Sequence, residues 1–143
     1  VGLHRVKNLA KLTPKEGGSL LDDTSFQRKL NETEIQLESI QYTEFRLMAA
    51  LAKGESPGPE SSVLKTLSAD IQQQLTELSV EAIAEFATAH QPEARTVGAD
   101  TVSIGHDDGK MAFTQYFNLR ASSIAGGTNE VQKNIIAKMV LGL

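Results

Sequence analysis

A chain of 143 residues, 40% hydrophobic and 22% charged, is long enough for one core, too short for two, and not disordered in composition. Its net charge of -4 and its lack of Lys/Arg clusters interleaved with aromatics exclude a nucleic-acid surface; Arg5, Lys7, Lys11 and Lys15 read as a solvated helix face. The absence of cysteine rules out disulfides and thiolate metal sites and fits a reducing cytoplasm, and no apolar run approaches membrane-spanning length.

With aromatics at 5%, the core must come from Leu, Ile, Val and Ala, which suits helices packed on helices. Leu3, Val6, Leu9 and Ala10 predict a first helix over residues 1–12, stopped by Thr13-Pro14 and Gly17-Gly18. It opens on Val1-Gly2-Leu3 without Met and reads as the tail of a longer helix, so the chain is expected to be a piece of a longer protein. Residues 19–25 connect to a second helix, with Asp23, Thr24 or Ser25 as its cap.

That second helix is predicted over residues 25–53, with an apolar stripe of Phe26, Leu30, Leu37, Ile40, Leu47 and Leu51. Ile35, Tyr42, Phe45 and Met48 widen the apolar surface beyond one face, as in a bundle or subunit interface, and Glu44 reads as exposed at the seam edge. Gly54-Glu55-Ser56-Pro57-Gly58-Pro59 is a turn, after which Val63, Leu67, Ile71, Leu75, Leu78, Ala82 and Phe86 mark a third helix antiparallel to the second. Residues 89–109 lose all period and read as a long loop. A short helix over residues 111–119, a link, and a last helix over residues 129–140 complete an all-α, up-and-down four-helix bundle with an extra short helix.

The informative stretch is Gly126-Gly127-Thr128-Asn129-Glu130-Val131-Gln132, two glycines opening a helix. Glycine lets a ligand approach the backbone, and first-turn N–H groups favour an anionic or electron-rich group. The plain alternative is a cap by Thr128 or Asn129, with Gln132 reaching back as in a capping box. His4, His90 and His106 show no ligand spacing, Ser122-Ser123 have no adjacent base, and Phe113, Tyr116 and Phe117 read as packing anchors.

The run from Tyr116-Phe117-Asn118-Leu119-Arg120 through Ser122-Ser123-Ile124-Ala125-Gly126-Gly127-Thr128-Asn129-Glu130 to Lys138 resembles the C-terminal signature of bacterial acyl-CoA dehydrogenases. Val140-Leu141-Gly142-Leu143 extends it, and Pro57-Gly58-Pro59-Glu60-Ser61-Ser62-Val63-Leu64-Lys65 is similar to the start of that domain's third long helix. The resemblance implies that residues 1–143 are the C-terminal helical bundle, without the N-terminal helical and β-rich middle domains. It implies an FAD-dependent oxidoreductase of fatty-acyl metabolism that α,β-dehydrogenates acyl-CoA thioesters: a carboxylate takes the α proton and FAD the β hydride. Electron-transfer flavoprotein as acceptor and self-association through the bundles are implied likewise.

Position by position, the resemblance assigns cofactor contacts to Gly126, Gly127, Thr128 and Glu130, with Glu130 standing where Gln is frequent. The catalytic base of many members falls on Gly126, which cannot abstract a proton, so the base is expected upstream of Val1. The usual Arg-x-x-Phe-Gly element that reaches the FAD pyrophosphate is replaced by Glu16-Gly17-Gly18-Ser19 and Asp22-Asp23. The usual Gln-x-x-Gly-Gly-x-Gly element is replaced by Ala84-Glu85-Phe86-Ala87-Thr88-Ala89-His90. The isolated domain is therefore expected to be inactive and to bind FAD poorly. The alternative is a non-catalytic helical interaction module, or a base-less subunit of a hetero-oligomeric dehydrogenase.

Overall fold

In the structure, a computed structural model that describes residues 2–143, the apolar periods become five α-helices. They are α1 (Leu3–Leu12), α2 (Thr24–Ala52), α3 (Glu60–Ile83), α4 (Ala112–Leu119) and α5 (Asn129–Ile136), the last prolonged by a π turn over Ala137–Leu141. The expected all-α architecture, with its short extra helix and long loop, is the one that forms. A small hairpin is added: β1 (Pro14–Lys15) pairs antiparallel with β2 (Gly18–Ser19), Pro14 opposite Ser19. Strands this short carry no alternation, so the sequence shows only a turn there.

The central element is α3, which packs against the other four helices. Its Ile71, Leu75, Leu78, Ala82 and Ile83 meet Val6, Leu9 and Ala10 of α1, Phe26 and Leu30 of α2, and Ala112 of α4 in one core. Helix α2 starts where Asp23 accepts a hydrogen bond from the Phe26 amide at 2.9 Å, one of the three caps the sequence offers. Helices α2 and α3 run antiparallel: Lys29 pairs with Glu81 at 2.9 Å, while Thr33 faces Gln74.

One predicted helix is less buried than its stripe suggests, and another ends early. The apolar stripe of α2 is buried only at Phe26 and Leu30, whereas Leu37 is 39% and Leu51 38% exposed. The reason is length: the 10 residues of α1 cover about 15 Å, against about 43 Å for the 29 residues of α2. The reach of α1 is marked by the Lys7–Glu34 pair at 2.8 Å, and the rest of α2 packs on α3. Helix α3 stops at Ile83, short of Phe86, because Ala84 turns to φ 49° and a 3-10 turn (Ala84–Thr88) follows.

Residues 89–109 do form an irregular connection, with two single 3-10 turns at Glu93–Arg95 and Asp107–Gly109. Order comes from side chains bonded to backbone, which periodicity does not register. The Gln91 amide accepts from Ile104 N at 2.7 Å and donates to Ile104 O at 3.1 Å, and Arg5 Nε donates to the Asp108 carbonyl at 3.2 Å. No helix among the described residues is long and apolar enough to cross a membrane.

Candidate functional site

The glycine pair sits on the turn between the 3-10 segment Arg120–Ser123 and α5. Gly126 has φ +71° and Gly127 φ +93°, the left-handed region that disfavours side chains. Around Gly126 nothing lies within 4 Å of where a Cβ would stand; at Gly127 a Cβ would come within 2.7 Å of Gln132 Nε2.

Thr128 caps α5, its hydroxyl oxygen accepting from the Val131 amide at 3.2 Å. Gln132 does not complete a capping box. It is buried, and its Nε2 donates to the Gly126 carbonyl at 3.2 Å, folding the glycine turn back onto the helix. Glu130 is exposed; its own backbone amide, then the Thr128 hydroxyl, hold its carboxyl below the usual carboxylate range. The cap is therefore real, and it leaves the face of Gly126 free.

Helix α3 supports this turn with four polar side chains, Lys65, Gln73, Thr76 and Glu77. Lys65 Nζ donates to Ser123 O at 3.3 Å and to Asn129 Oδ1 at 3.0 Å, gripping the turn on both sides of the glycines. Gln73 donates to Arg120 O at 3.2 Å. Arg120 in return reaches Gln73 O and Thr76 Oγ1, both at 2.9 Å, and Glu77 at 2.7 Å, with its guanidinium 4.4 Å from the Tyr116 ring centroid. Sequence reasoning missed these roles. Positions 65, 73, 76 and 77 fall among many other polar residues of this helix, so no pattern in the sequence singled them out.

The other candidates separate from this turn. Ser122 and Ser123 hydroxyls donate to the Leu119 and Arg120 carbonyls at 2.7 and 3.2 Å, which ties them to the backbone rather than to a reaction. Of the expected aromatic anchors Tyr116 is half-buried beneath Arg120, but Phe117 is 59% exposed and stacks edge-to-face on Phe113 with centroids 4.7 Å apart. His4 contacts Asn8, and His106 accepts from the Asp108 amide. Among the described residues no group of three or more His, Asp or Glu is arranged to hold a metal. The position upstream of Val1 where a base is expected lies outside the described residues.

Toward a flavin dinucleotide the two ends of the domain differ. The backbone at Gly126 is open on its outer side, but the turn between α1 and α2 does not fit a pyrophosphate. There Ser19 donates through its amide (2.9 Å) and hydroxyl (2.7 Å) to Asp22, while Lys15 and the Phe26 amide donate to Asp23. Hydrogen bonds from Ser19 hold the Asp22 carboxyl below its ordinary range, and those from Lys15 and Phe26 do the same for Asp23. Both stay ionised, and the donors a phosphate would need already serve the chain's own anions. Residues 84–88, in place of a glycine-rich loop, form a 3-10 turn that buries Ala87.

A family model described as acyl-CoA dehydrogenase, C-terminal domain, matches residues 2–141. Among solved structures, butyryl-CoA dehydrogenase from Megasphaera elsdenii is 16% identical with a TM-score of 0.74, over 97% of this chain and 32% of its own. The FAD complex of PigA is 19% identical with a TM-score of 0.76, over 99% and 32%. The ChsE4-ChsE5 complex from Mycobacterium tuberculosis is 25% identical with a TM-score of 0.71, over 99% and 34%. The chain thus spans about a third of the length of these structures. Among curated proteins no sequence matches.

Proposed function

Because the chain belongs to the family of acyl-CoA dehydrogenase C-terminal domains, we propose that it is the helical domain of a cytoplasmic, FAD-dependent acyl-CoA dehydrogenase. In this reading it forms one wall of the flavin and thioester pocket and takes part in subunit assembly, while N-terminal helical and middle β domains supply the rest. The whole enzyme α,β-dehydrogenates an acyl-CoA and passes electrons to electron-transfer flavoprotein. FAD, when bound, accepts the hydride.

The observation that carries the reading is the open glycine turn at the head of α5, with nothing within 4 Å of a Cβ at Gly126. Gly126 and Gly127 present backbone to the ring. Thr128 offers the ring a hydroxyl by releasing Glu130, and Glu130, ionised, can only accept a hydrogen bond. None of these residues moves the α proton; that falls to a carboxylate elsewhere in the longer protein.

A second reading is favoured by Asp22 and Asp23, whose carboxylates fill the α1–α2 turn. In it the chain is a base-less subunit beside a partner of different sequence, or a helical module that kept the fold without the chemistry. An equilibrium titration of the purified chain with FAD tests the main reading. Weak, saturable binding, lost in Gly126→Val, is the expected result. Tight stoichiometric binding with bleaching by acyl-CoA would contradict the incomplete site, and no binding at all would favour the helical module.

A further inference from the structure

The long connection between α3 and α4 carries a strand-like segment that the helical core does not use. Thr101-Val102-Ser103-Ile104 is β-branched at three of its four positions, the composition of a strand. Residues 99–103 run without helix, turn or bend, and Val102 and Ile104 are 91% and 56% exposed. At Ile104 the backbone direction is fixed by Gln91. Its side-chain amide accepts from the Ile104 N–H at 2.7 Å and donates to the Ile104 C=O at 3.1 Å. One amide reaches both groups of a single residue when they point the same way, as they do in an extended strand. Gln91 thus makes the pair of bonds that one residue of an antiparallel neighbour would make.

Beyond Gln91 that edge is open. With the strand period of two, Val102 and Asp100 turn their N–H and C=O groups to the side that Gln91 takes at Ile104. No hydrogen bond among the described residues takes up a backbone group of residues 100–103. Beside the segment lies an open slot of about 400 Å³, lined by Pro92, Glu93 and Ala94 together with Thr101, Val102 and Ile104. A free main-chain edge next to a side-chain slot is the arrangement that binds an extended peptide as an added strand.

Charge selects the occupant. Glu93 at the slot and Asp100 on the edge are exposed, and neither joins an ion pair among the described residues. Residues 96–109 add Asp107 and Asp108 and contain no Lys or Arg, so a second copy pairing through this segment would set acid beside acid. We propose that the edge receives an extended, basic segment of a different protein. It pairs with the Val102 backbone, seats an apolar side chain in the slot and sets a Lys or Arg near Asp100. The inference goes beyond the flavin reading and does not rest on it.

The test is an NMR titration of the isotopically labelled chain with an acetylated and amidated peptide, Lys-Val-Lys-Val-Lys-Val. Saturable amide shifts at residues 100–104 are the expected result. They should vanish when the peptide is N-methylated along its centre, which removes its donors and leaves its charge. Val102→Pro, which lacks the backbone donor, should lose them too. Asp100→Lys should weaken binding by about threefold or more, the scale of a surface ion pair reversed. Both positions are exposed in an irregular connection, and circular dichroism should show each variant folded. Absence of shifts at residues 100–104 overturns the proposal, as does an N-methylated peptide that binds equally well, since charge alone would then explain the contact. Shifts there that grow with protein concentration before any peptide is added would make the occupant a second copy and overturn it as well. The flavin reading stands in each case, because FAD binding and its loss in Gly126→Val report on a different segment.

Discussion

Ala84 holds φ 49° and ψ -127°, a conformation that an L side chain occupies only under strain of about 1–3 kcal/mol. It is exposed, so its methyl gives little packing in return. Ala84→Gly should therefore stabilise the chain by about 1 kcal/mol net of glycine's entropy and raise Tm by about 3–5 °C, read by thermal melting. An unchanged or lower Tm would mean that the strain is not there. Thr128→Ala removes the α5 cap and should cost about 1 kcal/mol in a denaturant titration.

Asp22, Asp23 and Glu130 share a pH signature. Their carboxyls bind protons more weakly folded than unfolded, so they stabilise the fold above about pH 4 and lose that contribution as pH falls through their lowered values. Melting measured from neutral to acid pH should show Tm falling below about pH 4, and the acid limb should be shallower in Asp22→Asn/Asp23→Asn. Identical acid limbs in the two proteins would sink that account.

At the scale of elements, α3 is both core and support. One side buries Ile71, Leu75 and Leu78; another carries Lys65 and Gln73, which hold the turn before α5. Lys65→Met keeps the aliphatic stem and removes the grip. Amide hydrogen exchange at Ile124 and Ala125, which donate to the Ala121 carbonyl, should then quicken about tenfold, the scale of one lost charge-assisted hydrogen bond, while the α1 and α2 cores keep their protection. A uniform loss of protection across the chain would make Lys65 a global rather than a local support.

Helix positions were legible because Val6, Leu9, Leu30, Ile71 and Leu75 repeat at helical spacing. The extent of burial was not, because periodicity marks which face of α2 is apolar but not how far α1 reaches along it. The glycine turn was legible from Gly126-Gly127 standing before a helix. Its supports were not, because Lys65 and Arg120 act across 58 to 64 and 43 to 47 residues of sequence, a separation that no local pattern encodes.

For the whole molecule, one helix organises everything else: four helices and a braced loop gather around α3, and the turn at the head of α5 stays open at Gly126. Fold and family membership follow from patterns spread along the chain, which is why they could be read before any coordinate. The departures at Gly126, at residues 16–23 and at residues 84–90 are also visible in sequence, but their meaning needed geometry. Asp22 and Asp23 lie at the surface, yet they take up the donors of the α1–α2 turn.

These two ends make opposite demands on the two halves of a flavin dinucleotide, and an NMR titration of the isotopically labelled chain with riboflavin and, separately, with ADP compares them. The account predicts amide shifts confined to residues 126–130 with riboflavin and none at residues 16–23 with ADP. Shifts at the α1–α2 turn with ADP, or an α5 head that ignores riboflavin, would contradict it.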